Sequence, residues 1–146
     1  MVQVKFNEDE RLYLSMLDNN ISRMNTNSMN CKVLMTAMVA GILALLTNDG
    51  VSEKILFIAM AITVLSYVLD CYYLMLEKDF RDIEKAFLNA TEENRSKLLF
   101  VFTKKEGYSD VVSTKMNFLK SLISKSTCIL YGSVEIDLLI IWYCFY

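Results

Sequence analysis

Residues 55–69 read ILFIAMAITVLSYVL without a charged side chain, and residues 71–76, CYYLML, continue the apolar run beyond a single carboxylate, Asp70. As a helix, residues 55–76 rise about 33 Å at 1.5 Å per residue, enough to cross a hydrocarbon core of about 30 Å. Two further blocks resemble it. Residues 33–46, VLMTAMVAGILALL, are uncharged, and counting from 31 to 48 brings them near the lower length limit for a span. Residues 126–146, STCILYGSVEIDLLIIWYCFY, are long enough and end in aromatic side chains suited to an interface, but they enclose Glu135 and Asp137. Carboxylates at mid-bilayer are costly unless protonated, paired or facing water, so this block either spans with such help or inserts only in part.

The linker between the first two blocks, TNDGVSEK at 47–54, is too short for a domain and fits a turn between antiparallel helices. The expected architecture is an all-α membrane protein forming a single membrane domain over 1–146. It comprises an N-terminal amphipathic helix at 8–30, spans at 31–48 and 54–76, a helical segment at 77–125, and a third membrane helix at 126–146. The linker holds one basic residue, Lys54, whereas 77–125 holds ten, so the positive-inside rule assigns that segment and the N-terminus to the cytoplasm. The acidic start MVQVKFNEDER does not read as a signal peptide.

Composition narrows function. The chain is 54% hydrophobic with mean hydropathy +0.32, and it has neither proline nor histidine. Without histidine there is no His-dependent triad or His-ligated metal, and four scattered glycines write no phosphate-cradling loop. The formal charge of -2 argues against direct nucleic-acid binding. Cys31, Cys71, Cys128 and Cys144 show no CxxC spacing and sit in apolar surroundings, as buried or lipid-facing thiols do. The expectation is a chain that is not an enzyme and uses no cofactor or metal.

Helical periodicity continues outside the apolar blocks. Leu14, Leu17, Ile21, Met24 and Ser28 recur at steps of three and four, forming a stripe that leads into the first span. Residues 77–87 prolong the second helix as a charged stalk, Thr91 followed by two glutamates can start another, and 114–124 is amphipathic. Residues 96–102, SKLLFVF, fit a short helix or a strand, and KKEGYSD at 104–110 a turn.

Several polar groups could carry function. Asn20, Arg23, Asn27 and Asn30 share one helical face, as either a solvated surface or the lining of a channel mouth. Asp70, Tyr73, Glu77 and Arg81 follow at steps of three, four and four, with Glu77 before Arg81 in the favourable order. Asp70, at the edge of a span, needs a partner, with Arg23 the first candidate and Lys32 the second. Its pairing either fixes the packing of the first helix on the second or takes part in gating. Ala37, Gly41 and Ala44 make a small-residue face for close helix approach, within the hairpin or between subunits. Glu135 and Asp137, two apart, point to different helical faces, as pairing or pore-lining groups. The basic residues Arg95, Lys97, Lys104 and Lys105 could receive an anionic signal.

Two segments carry a resemblance. The run from Leu14-Ser15-Met16-Leu17-Asp18-Asn19-Asn20 through Ile21-Ser22-Arg23-Met24-Asn25-Thr26-Asn27-Ser28 and the run from Leu69-Asp70-Cys71-Tyr72-Tyr73-Leu74 through Glu77 to Phe80-Arg81 are similar to paired motifs of small bacterial two- to three-helix transmembrane effectors associated with anti-phage defence. The resemblance implies an oligomer that permeabilises or depolarises the inner membrane when a sensor protein or nucleotide second messenger triggers it. It assigns Asn20, Arg23, Asn27, Asp70, Tyr73, Glu77 and Arg81 to the motif positions. The chain departs from the pattern at Val33 and Leu34, where an aromatic is expected, and in lacking a proline at the start of the third block. The competing expectation is a non-enzymatic structural or regulatory subunit of a larger membrane complex; an intramembrane enzyme would need Asp70 and Asp137 to face each other.

Overall fold

The computed structural model describes residues 6–45, 54–103, 107–109 and 112–145. Regular structure among them is entirely helical: α1 Glu8–Leu45, α2 Lys54–Asn89, α3 Glu92–Leu98, α4 Thr114–Leu122 and α5 Lys125–Phe145. Three of these, α1, α2 and α5, are long and apolar enough to cross a membrane. The proposed turn at 47–54 lies outside the described residues except for Lys54, as do residues 46–48 of the first span.

With no proline to interrupt it, α1 runs 38 residues, about 57 Å, and joins the amphipathic stretch to the first apolar block without a break. Its start is fixed by a reciprocal cap. The Glu10 amide donates to Asn7 Oδ1 at 2.7 Å, and the Asn7 amide donates to Glu10 Oε2 at 2.9 Å. This is a capping box with asparagine in the first position, reinforced by the acidic first turn. The charged stalk is likewise continuous with the second apolar block, giving the 36-residue α2.

The two long helices are antiparallel. Tyr13 near the start of α1 meets Phe87 near the end of α2 at a ring-centroid distance of 4.8 Å, while Lys32, later in α1, meets Asp70, earlier in α2. Each helix therefore has a polar half and an apolar half, and like halves lie together. The polar-half core contains Tyr13, Leu17, Ile83, Phe87, Tyr108 and Val112; the apolar-half core contains Met35, Val39, Leu56, Ala59, Tyr131 and Leu138. Of the stripe anticipated on α1, Leu17, Ile21, Met24 and Ser28 are buried and Leu14 is half-buried.

In the polar half, α3 and the turn after it close over the helix ends. The ambiguous SKLLFVF segment resolves as the end of α3 at Leu98 followed by a reversal in which Phe100 takes a φ of 61°. That left-handed residue turns the chain so that the Val101 carbonyl accepts the Tyr13 hydroxyl proton. The Tyr108 hydroxyl lies 3.2 Å from that of Tyr13. Because Tyr13's single proton goes to the carbonyl, Tyr108 is the donor between them. Burial pushes both phenols above their ordinary range, so both remain donors at any physiological pH.

Helix α4 is tied to the stalk by polar contacts. Asn117 Nδ2 donates to Asp79 Oδ1 at 2.7 Å and Asp82 Oδ2 at 2.9 Å, and Thr114 Oγ1 donates to Asp79 Oδ2 at 3.0 Å. Lys78 Nζ donates to Ser121 Oγ at 3.0 Å, and its partial burial lowers the ammonium's pKa against the opposing pull of Glu77. A short turn then sends α5 along the apolar half of α2. There Tyr67 donates to the Leu122 carbonyl at 2.7 Å and packs edge-on against Tyr131 at 5.5 Å, while Phe57 meets Trp142 at 6.2 Å. Thus α2 is the central helix, with α1, α4 and α5 laid against it.

Replacing Tyr13 with phenylalanine strands the Val101 carbonyl and the Tyr108 hydroxyl in the polar-half core, at a cost of roughly 1–3 kcal/mol. Hydrogen exchange should show faster opening of residues 98–103 with the apolar half unchanged; equal protection in Tyr13→Phe and the wild type would refute this role.

Candidate functional site

The boundary between the two halves is marked by a buried polar cluster. Asp70 of α2 has no exposed surface. Ser28 and Lys32, one helical turn apart on α1, both face it. Ser28 Oγ donates to Asp70 Oδ1 at 2.5 Å, and Lys32 Nζ lies 2.9 Å from Oδ1 and 2.8 Å from Oδ2 while also donating to Ser28 Oγ at 2.8 Å. The ammonium thus straddles the carboxylate, and the serine closes the triangle. Lys32 keeps 18% of its side chain exposed, whereas the Asp70 side chain is fully buried.

The partner of Asp70 is therefore Lys32, not Arg23. Arg23 lies on an exposed face of α1, where among the described residues it bonds to Asn20, at 3.2 Å. Asn27 is half-buried and Asn30 exposed beside it, so this row forms part of the surface of α1. The Asp70, Tyr73, Glu77, Arg81 series also divides. Glu77 and Arg81 form a 2.8 Å pair one turn apart on the stalk, with Arg81 more than half exposed, and half-buried Tyr73 packs edge-on against Tyr72. Asp70 is the member of that series whose side chain bonds to α1 among the described residues.

Further residues adjoin the cluster from α4 and α5. The Tyr131 side chain is 3% exposed; its hydroxyl makes no hydrogen bond among the described residues but lies within electrostatic reach of Asp70. Cys71 Sγ faces the Ser121 carbonyl at 3.7 Å, and all four cysteines are free thiols. Beyond Tyr131, a cleft of about 270 Å³ opens between α2 and α5, lined by Thr63, Val64, Tyr67, Tyr131, Gly132 and Glu135. Glu135 is half-buried there, and its Oε1 is shielded without a hydrogen-bond donor among the described residues. Asp137 lies instead on the exposed face of α5, next to the exposed side chains of Ile136, Leu139 and Ile140.

The small-residue face also points outward. Met35 and Val39 make the α1 contribution to the apolar core, whereas Ala37, Gly41 and Ala44 are exposed. A Cβ built on Gly41 meets nothing within 4 Å. Ala37, with Val33, Thr36 and Ala40, forms one wall of a second cleft of about 480 Å³ that has Lys32 at one end and Leu130 of α5 opposite. Among the described residues, Ala37 and Gly41 are thus left outside the apolar core of the hairpin.

The basic candidates do not form one exposed patch. Arg95, 4% exposed, donates to Glu10 Oε1 at 2.8 Å and lies over the Phe6 ring, so it is a buried structural cation. Lys97 is exposed and paired with Glu93 at 2.9 Å, and Lys104 and Lys105 lie outside the described residues. The sequence reading missed Glu10 and the hydroxyls of Thr63, Tyr67 and Tyr131. A signal for the last three existed: Asp70, Tyr67 and Thr63 recur at three and four along an otherwise apolar helix, and Tyr131 precedes Glu135 by one turn.

Either Lys32→Met or Asp70→Leu alone should strand a buried charge and destabilise the α1–α2 pairing by roughly 3–5 kcal/mol, while the double substitution recovers most of the loss. Unfolding titrations in mixed micelles measure this, and simple additivity of the two losses would show that the pair is not a coupled unit.

No protein-family model matches the chain, and no curated protein or solved structure matches it.

Proposed function

We propose that the chain is a membrane-embedded effector of bacterial anti-phage defence, which assembles with copies of itself and permeabilises or depolarises the inner membrane when triggered. The observation that carries this reading is Asp137. It lies about 18 Å along α5 from Lys125, on the outward face among isoleucines and leucines. A carboxylate at such depth is held by a bundle interior or a water-filled path rather than by lipid. Around a central aqueous path in an assembly, Asp137 acquires that environment.

The outward Ala37 and Gly41 face supports assembly, since small residues let transmembrane helices approach closely. The spans are also sparsely covered by their own chain: only 17%, 28% and 17% of their apolar windows are buried within it. In this reading the N-terminus and residues 77–125 are cytoplasmic, by the distribution of basic residues. The Lys32–Asp70 pair holds α1 against α2 in the resting state, and a sensor protein or nucleotide second messenger shifts the assembly between closed and open forms. The link to phage defence comes from the motif resemblance at residues 14–28 and 69–81.

The closed Ser28–Lys32–Asp70 triangle favours a second reading, in which the pair is purely a packing device and the chain is a subunit of a larger membrane complex. Membrane potential separates the two. In bacteria expressing the wild type, depolarisation should appear on induction or infection and fall at least about tenfold with Asp137→Leu or Asp70→Asn at equal membrane abundance. A membrane that stays polarised under every condition, or depolarisation indifferent to both substitutions, would overturn the effector reading.

A further inference from the structure

Glu135 occupies a different electrostatic position from Asp70. Both carboxylates face a neighbouring helix, but Asp70 has Lys32 and Ser28, whereas Glu135 Oε1 is buried with no donor among the described residues. The apolar runs 33–46, 55–69 and 126–146 contain neither lysine nor arginine, and Lys32 is committed to Asp70. A desolvated carboxylate without a counter-charge is unfavourable. The adjoining space is also large. At about 270 Å³ the cleft exceeds by several times the roughly 30 Å³ share of one water molecule and approaches the lower end of small-molecule sites.

Its walls state which cation fits. A metal ion needs several oxygen ligands in close array, yet Val64, Gly132 and two aromatic rings make up much of the lining. Tyr67 and Tyr131 stand edge-to-face at 68°, and both line the cleft, Tyr67 the more exposed of the two. Aromatic faces attract organic cations through the ring quadrupole, most strongly where water is excluded.

From this combination we propose that the cleft between α2 and α5 is a binding site for a small hydrophobic organic cation of the alkylammonium class, with Glu135 as counter-charge and Tyr67 and Tyr131 as the aromatic walls. The proposal is independent of the pore reading, because it concerns a face of α5 turned inward rather than outward.

Equilibrium binding of benzyltrimethylammonium to the full chain in lipid nanodiscs tests it, with empty nanodiscs subtracted. Neopentylbenzene, the uncharged isostere, serves as the control for apolar filling alone. Saturable binding of the cation is expected, weakened at least about tenfold by Glu135→Gln, as loss of an ionic partner in a partly desolvated site requires. Tyr131→Phe, which keeps the ring, should weaken it less than Tyr131→Leu. Thermal unfolding of each variant like the wild type confirms that the fold is retained. No saturable binding, binding untouched by Glu135→Gln, or equal binding of neopentylbenzene would each overturn the proposal, whatever the membrane-potential experiment shows.

Discussion

Lys32 and Asp70 meet where both long helices pass from polar to apolar, and the relative placement of the two helices depends on that meeting. Apolar side chains alone position antiparallel helices weakly, because sliding by one turn exchanges one set of contacts for a similar one. A fully buried carboxylate removes that freedom: it must find its cation, and displacement leaves an uncompensated charge. Ser28, one turn before Lys32, adds a second donor from the same face and fixes the rotation of α1 as well as its register.

The two halves on either side of this layer are held by different forces. In the polar half, Tyr13, Phe87 and Tyr108 leave water for a shared core, and the buried Arg95–Glu10 pair fastens α3 across it. That contact joins the capping residue of α1 to a helix far away in the chain, so the start of α1 and the fold of the polar half are one unit. In a bilayer the hydrophobic drive between helices is absent. There α5 is held on α2 by aromatic edges and by the Tyr67 hydroxyl on the Leu122 carbonyl. The lighter hold leaves much apolar surface facing outward.

Against that background the two carboxylates of α5 acquire distinct meanings. Separated by two residues, they diverge on the helix: Glu135 turns towards α2 and a cleft, Asp137 towards the outside. One asks for a ligand inside the chain, the other for water or a neighbour beyond it. The exposed Ala37 and Gly41 face of α1 adds a place where a neighbour's helix could come close.

Much of this was legible in the sequence. Helix positions, the merging of amphipathic and apolar stretches, the three apolar blocks and the divergence of Glu135 from Asp137 follow from composition and a period of 3.6 residues, which are local properties of the chain. Asp70 stood out because a carboxylate within an apolar run is costly anywhere. Its partner did not, since Arg23 and Lys32 are both near enough on α1 and only the packed rotation of the helix selects Lys32. Arg95 stood as a candidate to receive an anionic signal because Glu10, its partner, lies 85 residues away. Sequence by itself thus determined which segments are helical and which are apolar; only tertiary structure decided which polar groups meet, because such contacts depend on the register and rotation of helices far apart in the chain.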